Sequence, residues 1–474
     1  MAVIKKNNMS AIKISFIRHL AVADEVIPPL HFGYLASSLS KKYNVTIFDQ
    51  HRDRISDNHL IELLVRDNAD VIGFSAYTKD ISCVMSFVSK IKPLLPNAKI
   101  VLGGVQMSLM PVETFEYFEG YVDYGFIGES EIAFSMFVDT IEENPAKCDI
   151  EKIPNLVWKV DGSVKVNPIN YSMELDDLPF PAWELMPPKS YPKAPHGAFF
   201  KQYPFAAIIT SRGCPYPCTF CAAGSLSGKK VRYRTLDNVV EEIKLLRNKF
   251  GIKEVHIEDD NFSIKKERVI EFSERVLREM PEITWAFPNG LRLNNLDLPT
   301  LKLMRRAGCH YMNVGIESGN NDVLHKIKKS ITREQTKEKI GLVKDAGLNI
   351  GGFFIIGFPG ETTEEIKDTI KFARELPLDR IGISYFQPYP GTSEYKKLCD
   401  AGEYEMVLDN SRHSLHTISY VSKNLTENKL KSLRFEGFFR FYFRPKIFIK
   451  LLKEVRSLEH FKYILKRGLR WLSN

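Results

Sequence analysis

The stretch Ser211 to Cys221, SRGCPYPCTFC, constrains this chain more than any other. Cys214, Cys218 and Cys221 stand there in a C-x₃-C-x₂-C spacing on a turn that carries proline and glycine. An iron–sulfur cube held entirely by protein takes four thiolates, so three from one short loop leave one iron open to a different ligand. A zinc site would need a fourth nitrogen or sulfur at typical spacing. The sequence has no second C-x₂-C and no H-x₃₋₅-H pair to supply it. His256 and His310 lie inside apolar runs, where an imidazole satisfied within a core is the expected reading.

Around this loop the chain reads as ordinary globular protein. Its 474 residues, 44% of them apolar, allow two to four domains with separate cores. The four cysteines outside the loop, Cys83, Cys148, Cys309 and Cys399, form no even disulfide framework. With an oxygen-sensitive cluster, that points to a reducing, cytoplasmic location. The opening MAVIKKNNMSAIKISFI lacks the apolar core and cleavage site of a leader, and no run of about 18 apolar residues occurs. The expectation is a protein that is neither exported nor membrane-spanning. A net charge of +8 is modest for this length and sits largely in the C-terminal tail, so no nucleic-acid partner is expected.

From Lys13 to about Glu143, short β-branched runs (IKISFI, VTIF, DVIGFS, KIVLGG, YGFIG) alternate with helical stretches. Parallel strands need such crossovers, so residues 1–145 are predicted to form a flavodoxin-like parallel sheet. Ligands in such sheets bind beyond the carboxyl ends of the strands, and here those ends carry small residues. They are Gly73 to Ser75, Gly103-Gly104, and Gly128 before Glu129. Residues 146–203 read as a proline-rich linker with a small hairpin turning at Asp161-Gly162.

From 204 to about 400 six strand-then-helix units recur, beginning FAAIITS, EVHIE, ITWAFPNGL, YMNVGIE, NIGGFFIIG and RIGISYF. Six units are too few for a closed eight-stranded barrel, so a partial (β/α)₆ barrel is predicted, with its functional groups at the carboxyl ends of the strands. Glu258 to Asn261, Arg292, Glu317-Ser318-Gly319 and Gly357 to Glu361 fall there. The structural alternatives are that Asp260 or Asn261 caps the next helix and that Glu361 favours a helix N-terminus. Residues 401–474 form an aromatic, basic, helical tail, with apolar residues recurring at Phe448, Leu451, Leu452, Val455, Phe461, Ile464 and Leu465. Such a face suits either an anionic membrane surface or packing over the barrel opening, and packing is the expectation.

The cysteine spacing with an aromatic, Phe220, before the last cysteine resembles the signature of the radical S-adenosylmethionine (SAM) enzymes. The succession PPLHFGYLASSL, ADVIGFSAYT, LGGVQMS and VDYGFIGESE resembles the cobalamin-binding domain found N-terminal to many of them. The resemblance implies a [4Fe-4S] cluster on Cys214, Cys218 and Cys221. It also implies SAM beside Phe220, Glu258, Asp259, Arg292, Glu317, Ser318, Gly319 and Gly357. Cobalamin would lie against Ser75, Tyr77, Thr78, Gly103, Gly104, Val105, Gln106, Gly128 and Glu129. Gln106 stands where the family commonly has the histidine of GG-x-H. Asp49 and His51 form a D-x-H pair, but after the second strand and with Arg54 in place of the glycine of D-x-H-x-x-G, so no histidine ligand is expected from that loop.

The chemistry implied is one-electron cleavage of SAM to a 5′-deoxyadenosyl radical. Its expected outcome is methylation of an unactivated carbon of a small-molecule or lipid substrate. The alternatives are radical cyclisation, ring contraction or oxidation with cobalamin as electron carrier, and a cobalamin- or redox-sensing protein without turnover. An external one-electron donor such as flavodoxin or ferredoxin is the implied partner.

Overall fold

The computed structural model describes residues 12–19, 27–39, 41–143, 149–171, 173–193, 200–406, 408 and 417–454. The chain divides into two compact units, one of residues 1–22, 29–172 and 178–186, the other of residues 23–28, 173–177 and 187–474.

In the first unit β1 (Lys13–Arg18), β2 (Asn44–Asp49), β3 (Val71–Ser75), β4 (Lys99–Gly103) and β5 (Tyr124–Phe126) lie parallel in the order β2-β1-β3-β4-β5. Helices follow the strands because each stretch between them carries its apolar residues at helical spacing and has a stop signal. In the helix Asp57–Asp67, for example, Ser56 caps the first turn, Leu60 and Leu64 are buried, and Asn68 ends it at φ +48°. Phe16 stacks on Phe32 at 5.1 Å, and Val71, Val101, Phe134 and Phe137 fill the same core.

The hairpin at Asp161-Gly162 forms as expected, since φ of +49° and +77° at these residues suits a tight turn that matches the twist of the strands. Its strands β6 (Leu156–Val160) and β7 (Ser163–Val166) then do more than span a linker. β6 pairs antiparallel with β5, Phe126 opposite Leu156, so the hairpin extends the sheet to seven strands.

The second unit holds a six-stranded parallel sheet, β8 (Phe205–Ile208), β11 (Glu254–Ile257), β12 (Thr284–Leu291), β13 (Cys309–Glu317), β14 (Asn349–Ile356) and β15 (Arg380–Tyr385), in sequence order. A two-strand ladder, β9 (Ser211–Arg212) with β10 (Arg232–Tyr233), brackets the cysteine loop. Six strands leave the barrel unclosed, and an exposed strand edge would offer unpaired backbone groups. The tail helix Glu427–Tyr442 covers the edge at β15. The Tyr442 hydroxyl accepts from the Ile381 N–H (3.0 Å) and donates to the Ile381 carbonyl (2.7 Å). Arg434 donates to the Ile383 carbonyl (3.0 Å). Gly437 lets the helix lie close to the strand, since a Cβ there would stand 2.6 Å from the Ile383 Cδ1 and push that side chain aside. Of the tail residues predicted to line an apolar face, Val455, Phe461, Ile464 and Leu465 lie outside the described residues. Among the described residues no helix is long and apolar enough to cross a membrane.

Candidate active site at the strand ends

The cysteine loop leaves β8 and is fixed at its root by a buried carboxylate. Asp259 accepts from the Thr210 N–H, the Thr210 hydroxyl and the Ser211 hydroxyl, each at 2.6 Å. Burial pushes the Asp259 carboxyl up, and these donors pull it back towards the charged form. Asp260 accepts from the Gly213 N–H at 3.2 Å. Gly213 has φ +98°, and a Cβ there would sit 2.5 Å from the Lys230 carbonyl oxygen, so the turn into Cys214 admits only glycine. Beyond it the Cys214 N–H donates to the Gly228 carbonyl and the Cys221 N–H to the Cys218 carbonyl.

Arg292, at the end of β12, reaches this loop. Its Nη2 donates to the Cys218 sulfur at 3.0 Å, and its guanidinium lies 3.7 Å above the Tyr216 ring. Its Nη1 is buried with no hydrogen-bond partner. On the loop's other flank the Phe220 ring meets the edge of Phe358 at 5.7 Å, beside an apolar cluster of Val323, Leu324, Phe386 and Tyr420.

The remaining strand ends are tied down in ways the sequence did not reveal. Glu317 is buried in the left-handed region (φ +66°) and accepts from Lys329 Nζ at 2.6 Å, a buried ion pair. The Ser318 hydroxyl meets Thr369 Oγ1 at 3.0 Å, and the Gly319 N–H donates to the same oxygen at 2.9 Å. A Cβ at Gly319 would stand 2.5 Å from Phe372, so this turn is pressed onto the helix Thr363–Glu375. Asn261 caps the following turn through the Ser263 N–H. Glu258 and Asp259 are neighbours in sequence but diverge in burial: Asp259 is enclosed, whereas Glu258 is half-buried at the end of β11.

Gly357 has φ +86°, and its N–H and that of Phe358 donate to Glu361 Oε2 at 2.6 and 3.0 Å. Glu361 Oε1 is buried without a partner, and burial raises this carboxyl to about 8. Between the ordinary carboxylate value and pH 8 the folded chain therefore holds a proton that the unfolded chain has lost. The stability this group gives is present at acid pH and falls as pH rises to 8. Glu361→Gln keeps an acceptor for both backbone donors and cannot ionise. Its melting temperature relative to the unsubstituted chain is expected to climb by several degrees between pH 5 and 8, each pKa unit being about 1.4 kcal/mol. Parallel melting curves across that range would refute the raised carboxyl.

In the first unit Ser75 and Gly103 are paired neighbours at the carboxyl ends of β3 and β4. Gly104 has φ +97°, and a Cβ would meet Ser75 Oγ at 2.7 Å and Ala76 backbone at 2.8 Å. Tyr77 is 53% exposed beside buried Thr78, and Val105 is half-buried. Gly128 (φ +62°) donates to Ser108 Oγ at 2.9 Å, and the Glu129 carbonyl accepts from Asn155 at 2.7 Å. Gln106 turns inward: it is fully buried, with Nε2 on Thr114 Oγ1 at 3.4 Å. The Asp49 carboxylate caps the turn at His51 and Arg52, and His51 Nε2 meets the His19 carbonyl at 3.2 Å.

Residues 208–373 match the model of the radical SAM superfamily, and residues 19–138 match the B12 binding domain. An uncharacterized methyltransferase of Pyrococcus horikoshii is 31% identical over 94% of this chain and 93% of its own length. The chain belongs to the cobalamin-dependent radical SAM enzymes. An anaerobic magnesium-protoporphyrin IX monomethyl ester cyclase of Cereibacter sphaeroides is 26% identical over 89% of this chain and 68% of that protein. The fold matches that of the cobalamin-dependent SAM radical enzyme OxsB with a TM-score of 0.75, 17% identity, and coverage of 97% of this chain and 71% of that one.

The cofactors of this enzyme are a [4Fe-4S] cluster, SAM and cobalamin. The side chains fit the cluster at Cys218. The guanidinium of Arg292 presents a cation to Cys218, with its Nη1 left without a partner, which suits an anionic sulfur-rich group. Burial pushes the Cys221 thiol up to about 11, so iron binding would be what removes its proton. In the first unit Gly103 and Gly104 leave the end of β4 without side chains, which suits a ligand that would lie against backbone there.

Proposed function

We propose that the enzyme methylates an unactivated carbon of a small molecule or lipid, using two molecules of SAM for each product. The observation that carries this reading is the cysteine loop, with three thiols and an arginine aimed at the middle one, in a chain that also carries a B12-binding unit. Bound together, the three cofactors supply single-electron cleavage of SAM, hydrogen abstraction and methyl transfer.

In this reading Cys214, Cys218 and Cys221 hold the cluster, and Asp259 holds the loop that presents them. Arg292 balances charge at the Cys218 sulfur. Phe220 and Phe358 wall off water on one flank, and Glu258, Glu317, Ser318, Gly319 and Gly357 frame the SAM side at the strand ends. In the first unit Ser75, Tyr77, Thr78, Gly103, Gly104, Val105, Gly128 and Glu129 frame the corrinoid, and Gln106 supports them from within the core. Cytoplasmic placement fits the free thiols of the loop.

Product counting tests the reaction. Anaerobic, reconstituted enzyme supplied with its substrate is expected to release S-adenosylhomocysteine and 5′-deoxyadenosine in equal amounts with the methylated product. Deoxyadenosine without S-adenosylhomocysteine would overturn methyl transfer in favour of ring closure or oxidation, a reading to which the similarity to the cyclase lends support. No deoxyadenosine under a strong reductant would leave a sensor.

A further inference from the structure

We infer that the open face of the two C-terminal helices lies on the surface of an anionic lipid bilayer. The inference concerns where the enzyme works and does not rest on the methyl-transfer reaction.

The tail helix Glu427–Tyr442 is apolar on two sides. One side, with Leu430, Leu433, Phe438 and Phe441 buried, makes the packing over the sheet edge. The other carries Phe435, Phe439 and, just past the helix end, Phe443, which are 49%, 48% and 65% exposed. Their rings follow one another at 6.0 and 4.3 Å, and Phe448 of the next helix (Pro445–Glu454) extends the row at 6.4 Å from Phe443. Phe448 and its neighbour Ile449 are again half exposed. Single exposed apolar side chains are ordinary, whereas an unbroken row marks a contact surface.

Cations interleave with this row, and among the described residues Arg374, Arg444 and Lys446 make no ion pair. Arg444, the residue after Phe443, donates through Nη1 to the Arg374 carbonyl at 2.7 Å and through Nε to the Phe441 carbonyl at 3.1 Å, which leaves its charge uncancelled. Arg374, exposed in the last turn of the helix Thr363–Glu375, brings a second guanidinium to the same place. Burial, and after it the charge of Arg374, pulls the Arg444 pKa down. Lys446 stands exposed between Phe443 and Phe448 in the chain. Glu436, which lies between Phe435 and Phe439 in the chain, is neutralised by Arg440 at 2.8 Å.

Guanidinium groups crowded together without carboxylates suit phosphate oxygens. The row of rings needs an apolar phase beside those phosphates. A layer of anionic phospholipid supplies both, with phosphates at the level of the cations and acyl chains at the level of the rings. A soluble protein matched to this face would itself have to expose an apolar strip of the same length between acids, which folded surfaces seldom do. No described helix is long and apolar enough to cross a membrane, so the contact is interfacial. Such placement gives the enzyme direct access to lipid, one of the two substrate classes proposed above.

The test is co-sedimentation of the full-length, cluster-loaded enzyme with vesicles made of equal parts phosphatidylcholine and phosphatidylglycerol. At about 0.05 M salt most of the enzyme is expected in the pellet, and about 0.5 M salt is expected to release a large part of it as the charges are screened. Vesicles of phosphatidylcholine alone are expected to bind at least about tenfold more weakly. The double variant Phe439→Ser, Phe443→Ser is expected to lose about tenfold or more in partitioning, with iron content and melting temperature unchanged because both rings are exposed. Arg374→Gln with Lys446→Gln is expected to lower binding to the mixed vesicles towards the level seen with phosphatidylcholine alone. Failure of the unsubstituted enzyme to bind the mixed vesicles would overturn the inference. Binding that survives the double phenylalanine exchange but is lost on removal of residues 455–474 would move the contact elsewhere in the tail and overturn it as well. A dimer in solution that the phenylalanine exchange splits into monomers would give the row to a second copy of the chain instead.

Discussion

Cys218→Ala is expected to give a protein that lacks the brown absorbance of the cluster, retains corrinoid and cleaves SAM at least about a thousandfold more slowly, a loss of roughly 4 kcal/mol in transition-state stabilisation. Cys218 is the middle of the three loop thiols and the one whose sulfur takes the Arg292 N–H at 3.0 Å. Its removal takes one of the three protein bonds from the cluster and leaves a half-buried guanidinium facing a methyl group. A half-buried cation that loses its partner disfavours that arrangement, so the loop would relax rather than hold two thiols in place. The residues matched to the B12 binding domain end at 138, well before this loop. Corrinoid uptake, followed by its visible spectrum, is therefore expected to stay at the unsubstituted level while iron per chain falls. A variant that keeps its iron and its SAM cleavage would show that the cluster is held elsewhere. Cys218→Ser separates the thiolate from mere size, and it is expected to fail in the same way.

The parts of the molecule that were legible in the sequence are those set by repeating pattern. Six β-branched runs separated by helices predict the order of the second sheet, and each predicted strand forms. Asp161-Gly162 predicts its turn because two consecutive left-handed residues admit few other pairs. What the pattern could not give is the partner of each polar side chain. Lys329 sits in KIKKS, which reads as a solvated basic run, yet it is buried on Glu317, a pairing fixed only when β13 and the following loop meet. Ser318 and Gly319 read as ligand groups at a strand end, but their polar atoms are engaged by Thr369, fifty residues further on. The hairpin shows the same limit, since its turn is local whereas its pairing with β5 is not.

Asp259 is where this limit can be tested, because the sequence places it among the residues around SAM and the geometry gives both its oxygens to the root of the cysteine loop. Asp259→Ala removes the acceptor from three donors at a buried position. Each unsatisfied donor costs about 1–3 kcal/mol, and partial relaxation brings the sum to roughly 3–6 kcal/mol. For a unit of this size each kcal/mol is worth about 2–4 °C, so the melting temperature is expected to fall by about 6–24 °C. Iron loading is expected to fall with it, because β9 and the turn at Gly213 lose their anchor. The fraction of protein that still carries a cluster should bind SAM with an unchanged KM, since no contact to SAM has been removed. Asp259→Asn divides the effect, as it keeps one acceptor oxygen and loses the charge, and it is expected to fall between the two. The opposite pattern, with full iron loading, an unshifted melting temperature and a KM for SAM raised about tenfold (1.4 kcal/mol of lost binding), would return Asp259 to the cofactor and release the loop from it.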